Sequence, residues 1–151
     1  GVPKGDADWQ MVVVYRGQHC PLCTKYRTQL KELGPQFIGE GVDVVVVSAD
    51  TEEKARAHAG EKLQLPFEVG YDLSIEQMQQ LGLYISHPRS PKETDRPFAE
   101  PGLFVVNGEH RLHVVDLSNN PFVRPELSQL LSGLKWIRNP ENNYPIRGTY
   151  R

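Results

Sequence analysis

Two sulfurs are the residues best suited to chemistry. The chain's only cysteines, Cys20 and Cys23, stand two residues apart in the stretch YRGQHCPLCT, residues 15–24. Such a pair can cycle between dithiol and disulfide, help to hold a metal, or sit inert in a core. For a metal, His19, Cys20 and Cys23 would supply three ligands, with His58, His87, His110 or His113 as a fourth for copper. The second Cys-x-x-Cys or His pair of a structural zinc site is missing, so neither a metal nor a cofactor is expected.

The flanking sequence favours the redox use. Residues 9–15 (WQMVVVY) are β-branched and apolar without polar alternation, the pattern of a central strand buried on both faces. After a short loop, Pro21 stands where a helix would begin. Leu22, Tyr26, Leu30, Leu33 and Phe37 follow at helical spacing, with Gly34-Pro35 as a candidate kink. Both cysteines therefore fall at a strand-to-helix junction, where free N–H groups and the positive dipole end stabilise a thiolate. A thiol near 8.5 falls to roughly 3.5–7.5 in such places. Arg16 and His19 are adjacent groups that would act in the same direction, although His19 could equally cap the loop.

The remaining elements must hold this junction. Residues 42–48 (VDVVVVS) read as a second buried strand, and Asp50 with Glu53 has capping-box spacing at the start of a helix over 51–64. Residues 67–71 are a short extended piece, and 74–81 a short helix capped by Ser74. Residues 87–101 carry four prolines and several charges and read as a long loop. Residues 103–106 and 111–117 flank Asn107-Gly108 and predict a hairpin. Pro125 opens a last helix with the stripe Leu127, Leu130, Leu131, Leu134 and Ile137. Residues 1–151 are expected to form one domain, with 139–151 as an irregular C-terminal tail. Strands alternating with helices before a closing hairpin imply an α/β fold, a mixed central sheet with helices on both faces, thioredoxin-like in arrangement. Asp43 and Asp50 could be buried proton relays, but capping and strand-edge roles suit them better.

Composition excludes some classes. The net charge of −2 offers no basic patch for nucleic acid. No apolar run approaches the roughly 18 residues of a membrane span. No signal peptide is visible, and a cytoplasmic location is expected, although the chain does not open on Met.

The loop RGQHCPLCTKYRTQLKEL and the later SADTEEKA resemble the alkyl hydroperoxide reductase/thiol-specific antioxidant group, peroxiredoxin-like proteins of the thioredoxin superfamily. The resemblance runs over roughly residues 9–137. It implies a redox-active centre and a thiol-dependent reduction of peroxides, an antioxidant activity. Peroxiredoxins carry Pro-x-x-x-Thr-x-x-Cys with the last Cys as attacker; here Cys23 takes that place, Cys20 the Thr position and Arg16 the Pro position. Thioredoxins attack with the first Cys of Cys-x-x-Cys, which would be Cys20. Their cis-proline before the next strand matches Pro101, which could also be a simple strand-entry proline. The arginine that peroxiredoxins place there is absent, leaving Arg16 or Arg96 to substitute, or Arg96 to be a solvated loop charge.

The resemblance thus implies a peroxide or a disulfide as substrate, an external dithiol of thioredoxin or glutathione type as reductant, and a reversible Cys20–Cys23 disulfide bond. Three functions stand side by side: a peroxidase attacking through Cys23, a thiol–disulfide oxidoreductase attacking through Cys20, and a metal-binding or redox-sensing module that is not an enzyme. No nucleic acid and no membrane is expected as partner. Apolar edges could support a homodimer.

Overall fold

The computed structural model describes residue 3 and residues 5–151. The chain runs β1 (Trp9–Val14), α1 (Pro21–Gly39), β2 (Val42–Val47), α2 (Glu52–Ala55), which passes into a π-helical turn (Arg56–Lys62), then β3 (Glu68–Gly70) and α3 (Ile75–Gln80). It continues with β4 (Ile85–Ser86), β5 (Phe98–Ala99), β6 (Gly102–Val106), β7 (Leu112–Leu117), α4 (Leu127–Arg138) and a 3-10 turn (Pro140–Asn142). Five strands form one sheet in the order β3-β2-β1-β6-β7. β1 pairs in parallel with β2 and antiparallel with β6, and β6 with β7 is the predicted hairpin, carrying a bulge at Val105/Val106. This is the thioredoxin-like α/β arrangement expected from the order of elements. No helix among the described residues is long and apolar enough to cross a membrane.

β1 is central and feeds both faces because successive side chains point to opposite sides. Met11, Val13 and Tyr15 pack with Leu30 and Phe37 of α1, Val44 and Val46 of β2, and Leu131 and Leu134 of α4. Val12 and Val14 face the other way, toward Met78 of α3, Phe98, Ala99 and Phe104. The valine runs of β1 and β2 lack polar alternation because both faces are covered.

Several expectations are corrected. α1 runs unbroken through Pro35, and Gly34 lies in it where a Cβ would come within 3.0 Å of Phe67. Its buried stripe is Cys23, Arg27, Leu30, Gly34 and Phe37, whereas Leu22 is exposed. The residue capping α2 is Thr51, accepting from the Lys54 N–H, not Asp50. The expected helix over 51–64 is α2 continued by the π-helical turn. Pro125 precedes α4 rather than opening it: Glu126 is the N-cap and accepts from the N–H groups of Ser128 and Gln129. The segment 87–101 is not all loop, since β5 within it pairs with β4. Ser74 caps α3 in a complete capping box, as predicted.

Candidate active site

β1 delivers the site and α1 receives it. Beyond β1 the Tyr15 N–H bonds to the Val47 carbonyl at 3.1 Å, extending the parallel pairing to the rim of the sheet. The chain then turns at Gly17, whose φ of +144° suits glycine; a Cβ there would lie 2.7 Å from Asp50 Oδ1 and 2.9 Å from His19 Nδ1. Asp50 clamps the turn by accepting from the Gln18 N–H at 2.9 Å. Its own N–H donates to Ser48 Oγ at 3.1 Å. Asp50 therefore shapes the loop instead of capping a helix.

Cys20 is the N-cap of α1, with Pro21 at the first helical position. Its Sγ accepts the Cys23 N–H at 3.3 Å, so the sulfur fills the role that a Ser or Asp oxygen usually has at a helix start. Both cysteines are free thiols, Cys20 2% exposed and Cys23 fully buried. The Cys20 thiol is lowered to about 5, first by the hydrogen bond that the Cys23 thiol donates to it, then by the Cys23 N–H and the Arg16 guanidinium, which together outweigh burial. Cys23 is pushed far up because it is that donor and because it is buried; the charge of Arg124 acts in the opposite direction.

Arg16 is held beside Cys20 from the far side. Its Nε lies 2.9 Å from Glu100 Oε1, an ion pair whose angles fall outside hydrogen-bond geometry. Its guanidinium carbon sits 4.8 Å from the centre of the Phe98 ring. Glu100 is 4% exposed and accepts from the Ser86 hydroxyl at 2.6 Å, so the small β4–β5 sheet anchors the carboxylate that orients Arg16. His19 packs edge-on against Phe98 at 4.7 Å. Burial, reinforced by Arg16, lowers its pKa, which disfavours the cationic form that the sequence offered as one reading of His19.

The other candidates divide. Pro101 is buried and lines a small cavity with Val14, Tyr26, Asp116 and Arg124. The cis-proline expectation is not met, because the Glu100–Pro101 peptide is trans. Arg96 pairs with Asp95 at 3.3 Å and Asp72 at 3.7 Å and reaches the Ala49 carbonyl, contacts that do not include either sulfur. Of the candidate fourth metal ligands, His58 bonds to Arg27 and His113 packs on Trp9, at the opposite end of β1 from Cys20. Among the described residues no group of three or more His, Cys, Asp or Glu could hold a metal ion.

Four residues were missed from sequence: Glu100, Arg124, Arg27 and the clamp role of Asp50. Glu100 and Arg124 come close only through the fold.

A mixed sheet with helices on both faces, and a dithiol where its central strand enters its first helix, places the chain in the thioredoxin superfamily. The model of the AhpC/TSA family matches residues 3–115, and the chain belongs to that peroxiredoxin-like family. A solved cysteine-to-serine variant of peroxiredoxin 6 from Arenicola marina superposes with a TM-score of 0.75 at 16% identity, over 89% of this chain and 64% of that one. Mycobacterium bovis AhpC gives 0.70 at 18% identity, over 99% and 76%. A peroxiredoxin-like protein from Aquifex aeolicus gives 0.67 at 20% identity, over 87% and 72%. At these identities the likeness is one of fold, and the chain spans less than two thirds of the Arenicola protein. No curated protein sequence matches the chain.

Proposed function

We propose that the protein reduces peroxides through the Cys20–Cys23 pair, with Cys20 attacking first. The observation that carries the reading is Cys20 Sγ at the α1 N-cap, accepting the Cys23 N–H at 3.3 Å, an arrangement that lowers its thiol to about 5. The Cys20 thiolate attacks one peroxide oxygen, the O–O bond breaks, and the sulfur becomes a sulfenic acid while the departing alkoxide takes up a proton. Arg16 stands where it can stabilise that developing negative charge. The Cys23 sulfur then displaces hydroxide from the Cys20 sulfenic acid; with the Cys23 proton it leaves as water, and a disulfide forms. An external dithiol of thioredoxin or glutathione type returns both sulfurs to thiols.

This reverses the order implied by the peroxiredoxin motif, in which Cys23 would attack. A thiol–disulfide oxidoreductase is the second reading, favoured by the acidic sulfur being the first of the Cys-x-x-Cys. The 2% exposure of Cys20 supports a peroxide over a protein disulfide, because a small oxidant needs less access than an incoming sulfur bridge.

Stopped-flow mixing of the reduced protein with hydrogen peroxide, and separately with a small disulfide, tests the proposal. The expected result is fast peroxide consumption that Cys20→Ser abolishes, and a single turnover in Cys23→Ser that leaves a sulfenic acid trappable by dimedone. Peroxide consumption no faster than that of a free thiol would overturn the peroxidase reading. A first half-reaction that survives in Cys20→Ser and vanishes in Cys23→Ser would restore Cys23 as attacker.

A further inference from the structure

Beneath the sulfurs lies a cation that the chemistry above does not use. Arg27 stands one turn after Cys23 on α1 and is 1% exposed. Its guanidinium carbon lies 3.9 Å from the centre of the Tyr15 ring. Nε donates to the Cys23 carbonyl at 3.4 Å, and Nη2 lies 3.2 Å from His58 Nδ1. The third nitrogen, Nη1, is buried without a partner. No described carboxylate forms an ion pair with Arg27.

A buried guanidinium without a counterion is costly for folding, and arginine cannot relieve that cost by losing its proton. Its partners hold it by other means: a π face, a backbone carbonyl and a neutral imidazole. Donation from Nη2 makes His58 Nδ1 the acceptor and puts the imidazole proton on Nε2. His58 belongs to the π-helical turn Arg56–Lys62, an irregularity that is frequent at functional sites. In so poorly screened a place the charge acts most on neighbours that change their own charge. Tyr15 is the first of these, followed by Cys23, Asp50 and Cys20.

We propose that Arg27 is a positioning residue of the redox pair, which makes the Cys20–Cys23 disulfide more oxidising by stabilising the anionic reduced pair over the neutral disulfide. The proposal rests on the reading of Cys20 and Cys23 as a reversible couple. Cys23 is tied to Arg27 through its own carbonyl, so the cation and the sulfur-bearing turn keep a fixed relation. No contact with substrate is involved.

The test is redox equilibration with glutathione, in which two glutathione thiols supply the two electrons that reduce the disulfide and leave as glutathione disulfide. Arg27→Met is expected to lower the equilibrium constant for reduction by about tenfold, equivalent to about 30 mV. His58→Glu, which sets a carboxylate against Nη2 and neutralises the cation in place, is expected to lower it several-fold and serves if Arg27→Met fails to fold. Arg27→Lys keeps the charge and is expected to stay near the wild-type value. A merely structural Arg27 would change the melting temperature and leave the equilibrium alone. Met and Glu variants both within twofold of wild type would overturn the proposal while leaving the redox pair intact. A wild-type protein that forms no disulfide in any glutathione mixture would overturn the underlying reading, and Arg27's role with it.

Discussion

Replacing Arg16 by Met tests the electrostatic account of Cys20 most directly. Met keeps a side chain of similar reach against Phe98 and removes only the charge and its donors. A hydrogen bond to a charged group contributes about 1.5–3 kcal/mol, and one pKa unit corresponds to about 1.36 kcal/mol. Losing the guanidinium should therefore raise the Cys20 pKa by about one to two units. From about 5, the thiol would move to about 6–7; near pH 6 the thiolate fraction would fall from about nine-tenths to a half or less. The substitution strands Glu100, 4% exposed and then bonded to Ser86 alone, so Arg16→Met with Glu100→Gln is the better-behaved form. Thiolate absorbance in the ultraviolet, followed against pH, reads the shift, and the pH dependence of alkylation confirms it. A titration midpoint unchanged in both variants would refute the reasoning and leave the helix start and Cys23 as the whole cause.

Two further outcomes follow from the same geometry. Gly17→Ala must accommodate a side chain at φ +144° with its Cβ 2.7 Å from Asp50 Oδ1; a loss of about 1–3 kcal/mol is expected in denaturant melts, and a loss below the measurement error would show that the loop yields. Because the folded Cys20 pKa lies below its unfolded value, its stabilisation is fully present above the unfolded thiol pKa and disappears as pH falls through about 5. The stability difference between the reduced protein and Cys20→Ser should accordingly grow from pH 5 to pH 9 by at least about 1.4 kcal/mol, and a flat difference would argue against a depressed thiol.

Most of the framework was readable because burial writes itself into hydrophobic pattern. The all-apolar runs of β1 and β2, the Asn-Gly hairpin and the Ser74 cap each rest on local physics. The errors lie where a polar residue has a non-local job. Asp50 looked like a cap because it stands three residues before Glu53, yet its carboxylate is drawn to the Gln18 N–H, 32 positions away, leaving Thr51 to cap α2. Arg27 was passed over because a charged residue is normally assigned to the wet face of a helix, and nothing local says that an aromatic ring and an imidazole will receive it. His19 had two readings from sequence, a cation or a loop cap; burial, in which the Phe98 ring from a distant strand takes part, and the charge of Arg16 lower its pKa. The cysteines' place at a helix start was legible, but which sulfur becomes acidic was not, since that depends on the Cys20 rotamer reaching back over the first turn.

The cap of α1 has a consequence beyond chemistry. The first turn of this helix contains no acidic residue, and among the described residues the side chain that receives one of its N–H groups is the Cys20 sulfur. Under the chemistry proposed for the pair, this helix would hold a thiolate at its cap only in the dithiol form. Oxidation would turn that charged acceptor into a neutral, weaker one without moving any residue away from the helix. Local order at the start of α1 would then follow the redox state of the proposed pair, and the backbone would register it.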